Sequence, residues 1–80
     1  MPGITDSYFY VAFQLDDRGQ AVRAFEPRQA RTRQEAIGAA EALARDHAGT
    51  VAWSRHAEPA VGELGPPVVV FRSGKVGDFD

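Results

Sequence analysis

The sequence predicts an α+β fold with the element order ββαββ, in which one helix packs across one face of a four-stranded, largely antiparallel sheet. Residues 32–49 carry the signals of a helix start, body and end in order, and runs rich in aromatic and β-branched residues lie on both sides of them. Such runs, bounded by turn residues, are typical of strands. At 80 residues the chain has the size of one domain. We therefore expect a single domain spanning residues 1–80.

The first 28 residues predict a β-hairpin. Residues 8–15 alternate between two faces, with Phe9, Val11, Phe13 and Leu15 on one and Tyr8, Tyr10 and Ala12 on the other. Asp16-Asp17-Arg18-Gly19 has the composition of a turn. Residues 20–26 resume an extended pattern, which ends before Pro27 because proline cannot donate to a sheet ladder.

The helix is predicted from its capping residues. Thr32 is a favourable N-cap, and Glu35 stands where its carboxylate can complete a capping box. Gly49 is expected to end the helix in a left-handed conformation. The residues expected to face the core recur at helical spacing and are Ile37, Ala40, Leu43, Ala44 and His47. Gly38 weakens the helix interior, and we expect it to be there because a strand or the backbone of a partner packs closely against it.

Two further strands are predicted after the helix. They cover residues 50–55 and 67–72, which are rich in β-branched and aromatic side chains. The Pro- and Gly-rich segment 57–66 between them is predicted to be a long loop. Residues 1–6 and 76–80 are expected to fray.

Composition excludes several classes of protein. The chain has no cysteine, so it has no disulfide framework and no thiolate zinc site. Its net charge is −2, which gives no general field for nucleic acid or an anionic membrane. The first residues have no signal-peptide pattern, and no apolar run approaches the roughly 20 residues of a membrane span. We expect a cytoplasmic protein without metal or cofactor.

The most informative prediction concerns the second face of the sheet. A single helix can cover one face, and the strongly apolar set Phe9, Val11, Phe13 and Leu15 is expected to meet it. The other face would then be an exposed apolar patch, and such patches commonly mark interaction surfaces. The interface is predicted to include Tyr8, Tyr10, Val69 and Phe71. A homodimer through this face or through a strand edge is the first hypothesis, and coverage by the 57–66 loop and the termini is the alternative.

A nucleic-acid-binding module is the second hypothesis of function. Arg23, Arg28, Arg31 and Arg33 cluster in sequence around the entry to the helix. Backbone N–H groups at a helix start favour anions, and tyrosines on a sheet face can stack on bases. Solvated arginines beside a polar linker are the alternative explanation.

The remaining polar residues do not predict an active site, and we expect a protein that is not an enzyme. His47 is expected to bond a free carbonyl at the helix end. His56 lies near Glu58, but Ser54 would be about 7 Å from it along the strand, too far for direct activation. Asp16 and Asp17 are expected to form a turn, and they and the C-terminal pair Asp78 and Asp80 lack the spacing of a calcium loop.

Two family resemblances complete the sequence analysis. The aromatic strand from Tyr8, the Thr32-Arg33-Gln34-Glu35-Ala36 helix start and the Gly74-Lys75-Val76 ending resemble small bacterial ββαββ domains with no established activity. This resemblance implies fold and bacterial origin. The strand, Asp-x-x-Gly turn, strand and Thr-x-x-Glu-Ala helix are also similar to the N-terminal part of HicB-type antitoxins. That similarity implies a module that neutralises a small RNA-cleaving partner.

Overall fold

The computed structural model describes residues 5–58 and 63–77, and these form an antiparallel sheet with one α-helix. The elements are β1 (Thr5–Leu15), β2 (Ala21–Arg23), β3 (Arg28–Ala30), α1 (Arg33–Leu43), β4 (Gly49–Glu58), β5 (Glu63–Leu64) and β6 (Val68–Gly74). The predicted α+β class, with one helix and an antiparallel sheet, is confirmed for this part of the chain. The count of four strands is not confirmed. The predicted second strand, residues 20–26, is reduced to β2, and β3 lies in the polar segment after Pro27. A short β5 lies within the predicted loop 57–66.

The strands β1 and β4 form the centre of the sheet. They pair in antiparallel register from Thr5 opposite Ala57 to Phe13 opposite Gly49. β2 and β3 both pair with the outer side of β1. β5 and β6 both pair with the outer side of β4. The described sheet therefore has two edges, one formed by β2 and β3 and the other by β5 and β6.

The turn after β1 is fixed by Asp16. Its Oδ1 atom accepts hydrogen bonds from the N–H groups of Arg18 and Gln20, each at 2.9 Å. Gly19 adopts a positive φ of 81°, a conformation that glycine reaches without steric cost. The prediction of a turn at these residues is confirmed, and Asp16 has a local structural role.

The helix begins where the sequence predicts and ends earlier. Thr32 Oγ1 accepts from the Glu35 N–H at 3.0 Å, and Glu35 Oε1 accepts from the Arg31 N–H at 2.6 Å. The helix ends at Leu43 with Ala44 as its C-cap, so the prediction that it continues to Gly49 is wrong. Gly49 instead begins β4, where a Cβ atom would collide with the backbone of Lys75.

The face of the sheet that meets the helix is the one that carries the tyrosines. Ala36 and Ala40 of α1 are fully buried, and one apolar cluster joins them to the sheet. Its other members are Ala30, Ala52, Tyr8, Tyr10, Val70 and Phe71. The expectation that Phe9, Val11, Phe13 and Leu15 meet the helix is therefore wrong. The small alanine side chains let the helix approach closely, and the large tyrosine rings fill the space beside it.

The opposite face forms a second apolar cluster. Its buried members are Val11, Phe13, Val51 and Trp53. Phe9, whose ring stacks on Trp53 at 5.8 Å, packs against this cluster together with Ala21, Phe25 and Val76. Phe25 comes from the segment between β2 and β3, and Val76 follows β6 along the chain. The expectation of a wholly uncovered second face therefore does not hold.

Residues 75–77, here called the C-terminal strap, cross one end of the sheet. The Lys75 N–H donates to the Ala48 carbonyl at 3.0 Å. A Cβ atom on Gly77 would meet the Ala21 carbonyl oxygen, so the strap reaches the start of β2. Val76, predicted to fray, is thus packed on the second cluster.

Other sequence predictions about loops and ends have mixed outcomes. Asp6, also predicted to fray, lies in β1 opposite His56. The parts of the predicted loop and of the predicted frayed ends that fall in residues 59–62, 1–4 and 78–80 lie outside the described residues. Gly38 is exposed, and a Cβ atom built there would meet none of the described residues within 4 Å. The prediction that a strand packs against Gly38 is therefore wrong, and packing against a partner's backbone stays a prediction.

Candidate interface at the β6 edge

The strand β6 carries Val68 and Val69, the two most exposed large apolar residues of the described surface. β6 is seven residues long, and its paired side faces β4. Its other side has no strand partner among residues 5–58 and 63–77. Val68 and Val69 are 58% and 46% exposed. Exposed backbone and exposed valines together make this edge able to accept another strand.

The opposite edge of the sheet is much less suited to pairing. β2 and β3 contain three residues each and are separated by a segment that includes Pro27. Arg23 and Arg28 are both exposed along it. Short strands, proline and charge are the usual devices that prevent edge pairing. Both edges carry exposed arginine, Arg72 on β6 among them, so the two edges differ mainly in the length and continuity of their strands.

The register of β6 contains a β-bulge. Ala52 of β4 lies opposite Phe71, but the next residue, Trp53, lies opposite Val69. Val70 is therefore an extra residue on β6, and both Val70 and Phe71 pack against the helix-side cluster. These two side chains face the helix, whereas Val68 and Val69 are exposed.

Both ends of β6 are held to the body of the protein. Before the strand, the Gly65 N–H donates to the His56 carbonyl at 2.7 Å, and Arg55 Nε donates to the Gly65 carbonyl at 3.1 Å. After the strand, the hydrogen bond from Lys75 to Ala48 begins the strap. An edge that is already ordered loses little conformational entropy when it binds.

The four residues of the predicted interface do not share one exposed surface. Tyr8, Tyr10 and Phe71 are partly buried against the helix-side cluster, and Val69 lies on the β6 edge. Val68, the most exposed of the large apolar residues in the described structure, lies outside the predicted interface. The sequence does mark Val68 as an apolar strand residue, because it opens an apolar run directly after Pro66-Pro67.

The arginines of the second hypothesis are all exposed. Arg31 and Arg33 flank the N-cap of α1, whereas Arg23 lies in β2 opposite Phe13. Arg28 places its guanidinium 4.4 Å from the centre of the Phe25 ring. The carboxylate of Glu35 already accepts a backbone N–H at the helix start, where a bound anion would have to lie. A negative charge at that position opposes anion binding. The tyrosine rings expected to stack on bases pack against the helix-side cluster. Nucleic-acid binding through these residues stays a prediction.

The two histidines make local hydrogen bonds. His47 Nδ1 lies 2.8 Å from the Leu43 carbonyl oxygen, as expected for a histidine that caps a helix end. His56 Nδ1 lies 2.8 Å from Asp6 Oδ1, so its carboxylate partner is Asp6. The side chains of His56 and Asp6 are 47% and 50% exposed, and an ion pair between such groups is strongly screened by solvent.

Within residues 5–58 and 63–77, no three His, Cys, Asp or Glu side chains are grouped so that they could hold a metal ion. The described part of the chain also has no helix with the length and apolar content that a membrane crossing requires.

Comparisons with protein-family models, curated proteins and solved structures found no match to this chain. The resemblances to small bacterial ββαββ domains and to HicB-type antitoxins therefore stay predictions.

Proposed function

We propose that this chain is a non-enzymatic protein-association module, and that it forms a homodimer through the outer edge of β6. The observation that carries the proposal is the exposed, seven-residue apolar edge with Val68 and Val69 at its start. Pairing two such edges would satisfy their free backbone groups and remove the valines from water.

The length of the edge sets the expected affinity. Seven residues span about 24 Å of strand. An interface built on one strand pair is smaller than the standard interface of about 1,600 Å² in total. We therefore expect a reversible dimer with a dissociation constant on the order of micromolar.

The test compares two valine substitutions on opposite edges. Val69→Lys places a charge on the β6 edge, and Val22→Lys places the same charge on β2, where Val22 is 40% exposed. The sedimentation coefficient of each variant and of the unchanged protein is measured by analytical ultracentrifugation from about 1 to 500 μM, a range that brackets the expected constant.

The unchanged protein and Val22→Lys should dimerise across this range, and Val69→Lys should remain monomeric. Circular dichroism establishes that both variants are folded. A monomer at all concentrations for the unchanged protein would refute the proposal. Equal dimerisation of the two variants would show that the association uses another surface.

A further inference from the structure

We infer that the partner strand is a second copy of β6 in one particular antiparallel register, with Val69 opposite Arg72 and Val68 opposite Ser73 of the other copy. The two-fold axis of this dimer passes between Val70 and Phe71. This inference rests on the proposed function, and it adds the identity and register of the paired strand.

The first step is to find which backbone groups of β6 point outward. The Lys75 N–H bonds the Ala48 carbonyl, and Gly49 lies opposite Gly74. In an antiparallel ladder this pattern makes Gly74 a residue whose own N–H and C=O point away from β4. Because this direction alternates along a strand, the N–H and C=O of Ser73 point toward β4 and those of Arg72 point away from it.

The bulge then changes the phase of the strand. Phe71 lies opposite Ala52, which is two residues from Thr50, the partner of Ser73. The N–H and C=O of Phe71 therefore point toward β4, as those of Ser73 do. Beyond the extra residue Val70, Val69 lies opposite Trp53, and its N–H and C=O point away from β4. The outward groups of Val69 and Arg72 are therefore three residues apart along the strand.

Another copy of β6 can match this interval of three residues between Val69 and Arg72. A strand without a bulge offers its hydrogen-bonding residues at every second position, so it cannot meet both Val69 and Arg72 in phase. A second β6 running in the opposite direction has the same interval of three residues. Val69 of each copy can then exchange both N–H···O bonds with Arg72 of the other.

The register also matches the two faces of the sheet. Val69 and Arg72 lie on the side away from α1, opposite Trp53 and Val51 of β4. Val68 and Ser73 both lie on the helix side. A shift by one residue would pair side chains of opposite faces.

The same register separates the charges of the edge. The two Arg72 side chains of the dimer are about 10 Å apart along the strands. At that distance the repulsion between them is largely screened at ordinary ionic strength.

The register can be tested by disulfide cross-linking because the chain has no cysteine of its own. The variant carries both Val68→Cys and Ser73→Cys, and each single substitution serves as a control. In the inferred dimer these two positions face each other as a non-hydrogen-bonded pair, with Cα atoms about 4.5 Å apart. That distance lies within the range of disulfides, whereas the two positions within one chain are about 17 Å apart.

Oxidation of the double variant should give mainly covalent dimer on a non-reducing gel, and each single variant should stay mainly monomeric. Cross-linking of Ser73→Cys alone would place the axis at Ser73 and overturn the inferred register. Failure of the double variant to cross-link, while Val69→Lys abolishes dimerisation and Val22→Lys does not, would overturn the register and leave the proposed function intact. If the unchanged protein does not self-associate, both fail.

Discussion

Replacing Gly38 by alanine should stabilise this protein. Gly38 lies within α1 and is exposed. The Cβ atom of an alanine there would have no neighbour among the described residues within 4 Å. The substitution therefore adds no contact and removes none. What remains is the difference in helix propensity, about 1 kcal/mol in favour of alanine.

The magnitude is large enough for a clear measurement. For a domain of 60–100 residues, about 1 kcal/mol corresponds to a rise of roughly 4–8 °C in the melting temperature. In a urea titration the midpoint should rise while the slope stays constant, because the surface exposed on unfolding does not change.

Gly49→Ala is the matched control for Gly38→Ala. The same methyl group at Gly49 would collide with the backbone of Lys75, where the strap crosses the start of β4. Its free energy of unfolding should fall by about 1–3 kcal/mol. An unchanged or lower stability for Gly38→Ala would refute the reasoning, because it would require a close neighbour at Gly38 that the structure does not contain.

Three further substitutions test other parts of the structure by urea unfolding. Thr50→Val should leave stability unchanged or raise it by about 1 kcal/mol, since the buried Thr50 hydroxyl has no hydrogen-bond partner among the described residues; a clear loss would reveal one. Thr32→Ala should lower it by about 1 kcal/mol because the helix loses its N-cap, and no loss would mean that the cap is dispensable. Val76→Ala should also cost roughly 1 kcal/mol if the strap closes the second cluster, whereas Val22→Ala on the exposed β2 edge should cost less.

Features determined by short-range interactions were predictable from the sequence. Thr32 and Glu35 set the helix start, and Asp16 with Gly19 sets the first turn. In each case the donor and acceptor lie within four residues, so the local sequence contains both partners of the bond. The end of the helix was less predictable. Gly49, which reads as a helix stop, is required for a contact with a residue far along the chain.

The choice of sheet face was not predictable in the same way. β1 is apolar on both faces, and alternation alone does not say which face a helix will cover. The fully buried residues of the helix are the small Ala36 and Ala40, which share one cluster with Tyr8 and Tyr10. The face away from the helix, which carries Val11, Phe13 and Trp53, is partly covered by Phe25 and Val76. Each of these is a single residue in an irregular segment. No periodic signal marks such residues.

The location of the proposed interface rests on the difference between the two edges of one sheet. The β2 and β3 edge is short, interrupted and charged, and so it has the protection expected of a monomeric protein. At the β6 edge the bulge buries Val70 and Phe71 against the helix, but core packing does not account for the exposure of Val68 and Val69. The contrast between a short, interrupted edge and an edge of seven residues supports the proposed pairing at the β6 edge. In the proposed dimer the bulge would have two roles, because it fills the helix-side cluster and sets the spacing that a second copy matches.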